Sequence, residues 1–273
     1  MITETAYAKI NLALHVRSKR EDGYHEIETL FAFVDAGDVL VARAAEADRL
    51  ETVGEFADVL DNPFDNLVAR TMSTLPREGG LHVTLEKNLP VAAGLGGGSA
   101  DAGAMFRIIE QMHGLPDDWE EKAIRLGADV PACVASEMAI GRGTGTDLEP
   151  VENDMAGMAV LLVNLRVPLP TGPVFKAWAD TAGGEDLGPL PTGTAREIAR
   201  KGRNDLRPPA VAICPPIADV LQALEATDPW MCEMSGSGAT CFALYDETEM
   251  RDKAARAIAE HHPGWWQMTG TLQ

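Results

Sequence analysis

The part of this chain that most limits its fold is a glycine-rich stretch between a predicted strand and a predicted helix. Four glycines fall within residues 94–98. Before them, apolar and polar residues alternate over 81–87, which is the period of a half-buried strand. After them, apolar residues recur at helical spacing over 99–113, with Ser99 as the expected N-cap. The sequence therefore predicts a strand, a glycine loop and a helix in direct succession.

A loop of this kind is suited to binding phosphate. Glycine lets the backbone approach a ligand closely, so successive N–H groups can converge on phosphate oxygens, and the following helix adds its unpaired first-turn N–H groups. Two well-known loops are excluded. No lysine lies between Pro90 and Gly114, as a P-loop requires, and Ser99 stands where a dinucleotide fingerprint has its third glycine. The alternative is a glycine turn without a ligand, but the density of glycines favours phosphate binding.

The composition limits the domain count, the compartment and the partners. A chain of 273 residues with 45% hydrophobic content fits one large or two medium domains. No run of 18 apolar residues occurs and no basic region leads into an apolar one at the N-terminus, which predicts a cytoplasmic protein without a membrane segment. The net charge of −19 argues against nucleic acid or an anionic membrane as a partner. We interpret the acidic surface as a solubility property.

The cysteines predict neither a metal site nor a disulfide framework. None of them belongs to a Cys-x-x-Cys motif or a Cys/His cluster, and each lies in apolar or strand-like surroundings. We therefore expect small buried hydrophobic residues at Cys133, Cys214, Cys232 and Cys241.

The first part of the chain is predicted to be rich in antiparallel sheet. Strict alternation over 5–16 places Lys9 and Asn11 side by side on one face of a strand. Further strands are expected over 26–34 and 39–43, separated by a turn at 35–38, and over 138–141. Helices are expected over 66–75, 131–136 and 118–127, the last with a capping-box spacing at Asp118 and Glu121.

An acidic, turn-like stretch at 149–157 predicts a boundary between a domain of residues 1–155 and a domain of residues 156–273. In the second domain, strands are expected over 158–164, 230–234, 240–245 and 265–269. Helices are expected over 172–180, 195–203, 216–225 and 246–261, the last with a capping box at Asp246 and Glu249. A surface loop, rich in glycine and proline, is expected over 181–194.

Two charged residues are candidates for chemistry at a phosphate site. Lys9 has Asn11 and Tyr7 as neighbours on the polar face of its strand, although a lysine there is usually only solvated. Asp129 lies between an apolar helix end and Pro131, where its ordinary role would be the N-cap of the next helix. If the two meet, Asp129 would accept the proton of an attacking hydroxyl while Lys9 stabilises the charge on a transferring phosphoryl group.

Two further turns contain residues suited to a ligand. Residues 234–240 form a second glycine turn between predicted strands, and by itself this turn is best interpreted as a hairpin. The sequence Asp22-Gly23-Tyr24-His25 places an aromatic side chain and a histidine beside a glycine, where they could stack on a planar ligand. A lone histidine is more often an ordinary surface residue.

Three motifs, in this order, resemble those of the small-molecule kinases named for galactokinase, homoserine kinase, mevalonate kinase and phosphomevalonate kinase. They are Ala8-Lys9-Ile10-Asn11-Leu12, Pro90-x-x-x-Gly94-Leu-Gly-Gly-Gly-Ser99 and Ser235-Gly-Ser-Gly238. Within that superfamily the chain is most similar to the kinases that act on a methylerythritol linked to cytidine diphosphate. The residues that favour this branch are Asp22-Gly-Tyr-His25, Asp65-Asn66-Leu67, Leu126-Gly-Ala-Asp-Val-Pro131, Pro170-Thr171 with Phe175, and Asn204-Asp205-Leu206. The resemblance covers nearly the whole chain.

The resemblance implies an α+β fold of two domains, an N-terminal domain like that of a ribosomal protein and a C-terminal ferredoxin-like domain, with the active site in the cleft. It implies an ATP-dependent kinase that phosphorylates the 2-hydroxyl of the cytidylylated methylerythritol in the non-mevalonate route to isoprenoids. Mg²⁺ is expected with ATP because the triphosphate charge must be neutralised during transfer, although no residue is predicted as a dedicated metal ligand. The alternatives are a kinase of the homoserine or mevalonate type and a non-catalytic nucleotide sensor.

The resemblance also implies roles for individual residues. Lys9 and Asp129 match the catalytic pair. The substrate site is matched by Asn11, Phe31, Thr171 and, around the cytosine, Tyr24, His25 and Phe175. The ATP site is matched by Asn66, Lys87, Pro90, Val91, Ala92, Ala93, Gly94, Leu95, Gly96, Gly97, Gly98, Ser99, Ala100 and Asp101. Two positions depart from the family pattern, namely Thr144, which is usually aliphatic, and Ala100, where many relatives have serine.

Overall fold

The computed structural model describes residues 1–59, 66–181 and 186–273. These residues form two sheets that pack face to face, with helices on the outer face of each. Asp65, from the motif before the first helix, and residues 182–185 of the predicted surface loop lie outside the described residues.

The first sheet contains, within the described ranges, β1 Ile2–Lys19, β2 His25–Ala45, β3 Arg49–Val53, β4 Gly80–Glu86, β5 Ala139–Arg142 and β6 Asp147–Pro150. Its order is β3-β4-β2-β5-β6, and β1 pairs with β2. All neighbours are antiparallel except β3 and β4, which are parallel. The helices of this part are α1 Leu67–Thr74, α2 Gly97–His113, α3 Trp119–Leu126 and α4 Val130–Ala135.

The second sheet is antiparallel and has the order β10-β7-β9-β8. Its strands are β7 Ala159–Asn164, β8 Met231–Met234, β9 Cys241–Tyr245 and β10 Trp266–Thr271. The helices of this part are α5 Thr171–Thr181, α6 Ala195–Lys201, α7 Arg207–Ile213, α8 Ile217–Glu225 and α9 Thr248–His261.

Three buried clusters hold these layers together. One lies between the first sheet and the helices α1, α2 and α4, and another lies between the second sheet and its outer helices. The third joins the two sheets and includes Ile10 and Leu12 of β1 with Val160 and Leu162 of β7. The division of the chain into residues 1–155 and 156–273 stays a prediction, since this shared core belongs equally to both parts.

The predicted turn at 35–38 is wrong, because β2 continues through it. The register with β1 shifts there, from Tyr7 opposite Gly37 to Ala8 opposite Val34, so the extra residues form a bulge rather than a reversal. A Cβ on Gly37 would lie 1.9 Å from Ala6 O. This glycine therefore permits two strands to approach closely. In the sequence, a glycine needed for close approach looks the same as a glycine in a turn.

Several predicted helix starts are shifted. Helix α2 begins at Gly97, and its N-cap is Gly96 with a left-handed φ of 61°, so Ser99 lies inside the helix. The N-cap of α9 is Glu247, whereas the predicted cap Asp246 pairs with Arg196. In both cases a residue with good capping chemistry lies two positions from the first residue of the helix.

Two strands and one α-helix of the described ranges were not predicted, namely β3, β6 and α7. Strand β6 ends at Pro150, so the stretch predicted as turn-like at 149–157 begins within a strand. Strand β3 lies parallel to β4 at the edge of the first sheet, and three of its five residues are polar. Helix α7 contains Pro208 and Pro209 near its start, where a missing N–H group costs nothing because first-turn amides have no intrahelical acceptor. In the sequence these prolines indicate a break, not a helix.

Other findings concern the cysteines and the membrane. All four cysteines are free thiols, and three are buried as expected, whereas Cys232 is only half-buried. Within the described ranges, no helix has the length and apolar character needed to cross a membrane. The cytoplasmic location stays a prediction.

Replacing Gly37 with alanine is expected to destabilise the fold by about 1 to 3 kcal/mol, because the new methyl group would overlap the backbone of β1. Chemical denaturation of the purified variant measures this. Gly264→Ala is the matched control, since no atom lies within 4 Å of its Cβ position. Equal midpoints for the two variants would contradict the close approach of β1 and β2.

Candidate active site

A cavity of about 960 Å³ opens between the two parts of the molecule. The glycine loop and β1 form one side, and the start of α5 with the turn after β8 forms the other. Every predicted site residue lines it except Leu95 and Ala100. Those two side chains are buried in hydrophobic clusters instead, so any role for them in binding would have to come from their backbone.

The glycine loop is held by hydrogen bonds to its carbonyl groups. Lys9 N donates to Leu95 O at 3.0 Å, Leu169 N donates to Ala92 O at 3.1 Å, and Thr240 N donates to Ala93 O at 3.0 Å. Since the carbonyls face these partners and the loop runs directly into α2, the first-turn amides of that helix are presented to the cavity without intrahelical acceptors. These backbone N–H groups are thus positioned to bind an anion.

The second glycine turn, residues 235–238, packs against the first. Ser235 Oγ donates to Gly94 O at 2.7 Å and accepts from Asn11 N at 3.3 Å. Asn204 Nδ2 donates to both Met234 O and Gly236 O at 2.8 Å, and these two hydrogen bonds hold the backbone of the turn in place. The turn joins β8 to β9, so the hairpin interpretation is correct, and the same turn also forms a wall of the cavity.

Lys9 and Asp129 meet at the cavity wall. Lys9 Nζ lies 3.0 Å from Asp129 Oδ2 and 3.3 Å from Asn11 Oδ1, and 4.5 Å above the ring of Phe31. The Lys9 side chain is 5% exposed, whereas that of Asp129 is 35% exposed. Asp129 is the N-cap residue of α4, but its side chain makes no capping bond. Its carboxylate is therefore directed to the lysine and remains open to the cavity.

Lys87 and Asp101 also line the cavity, and they form a buried ion cluster with Asp38. Lys87 Nζ lies 2.7 Å from Asp101 Oδ2 and pairs with Asp38 as well. The role of Asp38 was not predicted. A charged residue among the apolar residues of a strand indicates a buried ion pair, and this signal was present in the sequence. Asn66 lines the cavity too, and its side chain accepts a hydrogen bond from Val68 N at 2.9 Å, which caps α1.

The other end of the cavity is aromatic. The rings of His25 and Phe175 stack with centroids 4.6 Å apart, and Trp178 meets His25 edge-on at 5.7 Å. His25 Nε2 is buried and has no hydrogen-bond partner in the described parts of the chain. Tyr24 is 62% exposed at the rim. Trp178 was not predicted, but it lies one helical turn from Phe175 on α5, a spacing that could have indicated it.

The histidine at this end is kept neutral. Burial lowers the pKa of His25, and the positive charge of Lys19 lowers it further. Thr171 and Thr144 also line the cavity, and the hydroxyl groups of Thr171 and Ser237 are hydrogen-bonded at 3.0 Å. A neutral imidazole with a free buried nitrogen, stacked on an aromatic ring, is suited to a planar heterocycle with hydrogen-bonding groups.

Comparisons with known proteins agree with this geometry. Residues 66–137 match the model of the GHMP kinases N terminal domain, and residues 190–264 match the GHMP kinases C terminal model. The chain is 62% identical over 272 residues to the 4-diphosphocytidyl-2-C-methyl-D-erythritol kinase of Novosphingobium aromaticivorans, covering 100% of this chain and 93% of the relative. It is 52% identical to the kinase of the same name from Sphingopyxis alaskensis, covering 99% and 98%.

A solved structure is also similar. The crystal structure of a 4-(cytidine 5'-diphospho)-2C-methyl-D-erythritol kinase matches with a TM-score of 0.83 and 32% identity, over 99% of both chains. The fold is that of a GHMP kinase, which confirms the predicted α+β class and two-domain kinase fold. Within that class, the chain belongs to the 4-diphosphocytidyl-2-C-methyl-D-erythritol kinase family.

Replacing Gly94 with alanine is expected to separate the two glycine turns. A Cβ there would lie 2.2 Å from Ser235 O, and the φ of +78° is unfavourable for alanine. The free energy of unfolding, measured with urea, should fall by about 1 to 3 kcal/mol. Gly98→Ala is the control, because its Cβ would meet only Leu67 Cδ1 at 3.6 Å within a helix. A Gly98→Ala variant as unstable as Gly94→Ala would argue against this packing.

Proposed function

We propose that the chain transfers the γ-phosphoryl group of ATP to the 2-hydroxyl of 4-diphosphocytidyl-2-C-methyl-D-erythritol, a step in non-mevalonate isoprenoid biosynthesis. The observation that carries the proposal is the position of the Lys9–Asp129 pair, in one cavity with a phosphate loop and an aromatic stack. The names of the curated relatives support the same substrate.

The phosphate loop is the proposed ATP site. Kinases of the GHMP family use ATP, and here the loop places the first-turn amides of α2 at the cavity. Convergent N–H groups and the positive end of a helix dipole bind phosphate without a lysine in the loop itself. Asn66 and Lys87 would border the nucleotide, since both line the cavity beside the loop.

Asp129 is the proposed general base and Lys9 the electrostatic partner. The Asp129 carboxylate would accept the proton of the acceptor hydroxyl as the oxygen bonds to the γ-phosphorus and the bond to the β-phosphate oxygen breaks, releasing ADP. Lys9 would stabilise the negative charge on the transferred group and fix the orientation of Asp129 through the 3.0 Å ion pair.

Mg²⁺ is expected to enter with ATP rather than to occupy a site of the protein. Within the described residues, no three metal-ligating side chains lie together. A magnesium ion bound mainly by triphosphate oxygens and water does not need such a cage. We assign no residue as a metal ligand and no step to the metal.

The aromatic end is the proposed cytidine site. Cytosine would stack in the space bordered by Tyr24 and Phe175, with the free Nε2 of His25 available for a hydrogen bond to its edge. Asn11, Phe31 and Thr171 also line the cavity, and the methylerythritol would lie beside them and Asp129.

A direct assay tests the proposal against its alternatives. The purified protein should phosphorylate the cytidylylated methylerythritol with ATP and leave homoserine and mevalonate unchanged. Preference for either of the other acceptors would contradict the proposed substrate. Binding of ATP without transfer to any acceptor would favour the nucleotide sensor, which has no need of a Lys9–Asp129 pair.

Asp129→Asn should lower kcat by about 10²- to 10⁴-fold, the usual contribution of a general base, with little change in the Kd for ATP. Steady-state kinetics and equilibrium nucleotide binding measure the two effects. Asp118→Asn is the matched control, because Asp118 is also an N-cap residue without a capping bond and pairs with Lys122 on the surface. A kcat close to that of the wild type in Asp129→Asn would remove Asp129 as the base.

His25→Ala should raise KM for the cytidine substrate by about 10- to 100-fold and leave KM for ATP unchanged. The estimate combines the loss of a stacking contact with the loss of a hydrogen bond, together roughly 1.5 to 3 kcal/mol. Varying each substrate at saturation of the other separates the two constants. His113→Ala, an exposed histidine at the end of α2, is the control. An equal effect on both KM values would argue against cytosine recognition.

A further inference from the structure

Three ionisable side chains are buried together beneath the phosphate loop. Lys87 Nζ lies between Asp101 Oδ2, at 2.7 Å, and Asp38 Oδ2. A Cβ on Gly97, the first residue of α2, would lie 3.6 Å from Lys87 Nζ and 3.8 Å from Asp38 Oδ2. The cluster is therefore in contact with the N-terminal end of the helix, next to the proposed triphosphate site.

The charges of this cluster do not balance if both carboxyl groups are ionised. One ammonium would face two carboxylates, which leaves one surplus negative charge. A buried charge without compensation is costly, and here it would also repel the triphosphate. A proton on one carboxyl group removes both the cost and the repulsion.

The hydrogen bonds identify the carboxyl group that carries this proton. Asp38 Oδ1 accepts from Asn88 N at 2.5 Å and Leu89 N at 2.8 Å, while Asp38 Oδ2 faces Lys87. Asp101 Oδ2 also faces Lys87, but Asp101 Oδ1 is buried without a hydrogen-bond partner in the described parts of the chain. Hydrogen bonds to a carboxylate stabilise its charged form. Asp38 has them on both oxygens, and Asp101 does not.

The electrostatics agree with the hydrogen bonds. Burial raises the pKa of Asp101 most strongly, Lys87 opposes this and Asp38 adds to it, with a result of about 8. Burial also acts against the Lys87 ammonium, but the two carboxyl groups outweigh it and the pKa of Lys87 is raised. At neutral pH, Asp101 is therefore uncharged and Lys87 is charged.

The other elements packed against α2 provide no alternative partner for Asp101. Lys9 of β1 is paired with Asp129, and Glu4 of β1 is paired with Arg107 of α2 itself. On α4, burial raises the pKa of the Cys133 thiol, which stays neutral. The charged residue of α1, Arg70, is exposed.

We propose that Asp101 is held as a neutral carboxylic acid beneath the phosphate loop and that its ionisation weakens the binding of ATP. When Asp101 is protonated, the loop rests on a cluster without net charge. When the proton is lost, a negative charge appears beside the triphosphate. The affinity for ATP is therefore full below the pKa of Asp101 and falls as the pH rises through it. The inference rests on the proposed function only in taking the loop as the ATP site.

Equilibrium binding of ATP, without acceptor, tests this inference. The Kd is measured for the wild type and for Asp101→Asn from about pH 7 to about pH 9.5, a range that brackets the titration. Asparagine has the shape of the neutral acid and cannot ionise. The ratio of the wild-type Kd to the variant Kd should rise roughly tenfold over this range, as expected for one charge acting on a triphosphate at an effective dielectric constant of ~20 to 80. A constant ratio would overturn the proposal.

Two controls separate the local charge from general effects. Asp117→Asn removes an exposed acid beyond the other end of α2. The ratio of the wild-type Kd for ATP to that of Asp117→Asn should stay constant with pH. Adenosine has no phosphate, so its Kd ratio between the wild type and Asp101→Asn should also stay constant. A rise for adenosine equal to that for ATP would show a structural effect and overturn the electrostatic one.

Infrared spectroscopy detects the proton without ATP and without enzyme activity. The carbonyl band of a protonated carboxylic acid should be present near neutral pH in the wild type, be absent from Asp101→Asn, and disappear as the wild type is titrated through about pH 8. Absence of the band from the wild type would refute the neutral acid. If neither the wild type nor Asp101→Asn binds ATP, the proposed function fails and so does the proposed effect on ATP affinity. The infrared titration would still decide the protonation state of Asp101.

Discussion

The site depends on backbone hydrogen bonds that connect β1 to elements on both sides of it. Lys9 N donates to Leu95 O in the phosphate loop, and Leu14 exchanges backbone hydrogen bonds with Arg203 and Asp205 in the second part of the molecule. Buried backbone groups must be paired, so these bonds fix β1 at a definite depth between the two sheets. Because side chains alternate along a strand, fixing the backbone also fixes where the lysine ammonium lies. The loop, the lysine and the second glycine turn are thus positioned by one strand.

Local signals were enough to predict the glycine loop with the helix after it and to identify Lys9 and Asp129 as candidates. Glycine density and a following helix are properties of a few neighbouring residues, and so is the position of Lys9 on its strand. The sequence could not show that Gly37 accommodates β1 rather than a turn, because that requirement comes from a strand distant along the chain. Asp38 was missed for the same reason, since its role depends on Lys87 and on two backbone amides that only the fold brings to it.

Net charge and site charge are separate properties in this molecule. The chain carries a net charge of −19, yet the groups at the loop are amides, a helix N-terminus and two buried lysines that are paired with carboxyl groups. Screening limits the reach of surface charges to about 8 Å at physiological ionic strength, whereas buried groups act at short range in a medium of lower dielectric constant. The proposed binding of a polyphosphate at the loop would therefore be governed by a small number of nearby groups, including the carboxyl group that we propose to be protonated.

The shared core has a consequence for the order in which the protein can fold. Val16 N donates to Asp205 Oδ2 across 189 residues of sequence, and Thr271 N donates to Asp35 Oδ1 across 236. Contacts between such distant residues form late, because the entropy of closing a long loop must be overcome before they contribute. Strands β1 and β2 therefore cannot complete these two contacts before residues 205 and 271 have been synthesised. Apolar strand surface that stays exposed until then is prone to misassembly.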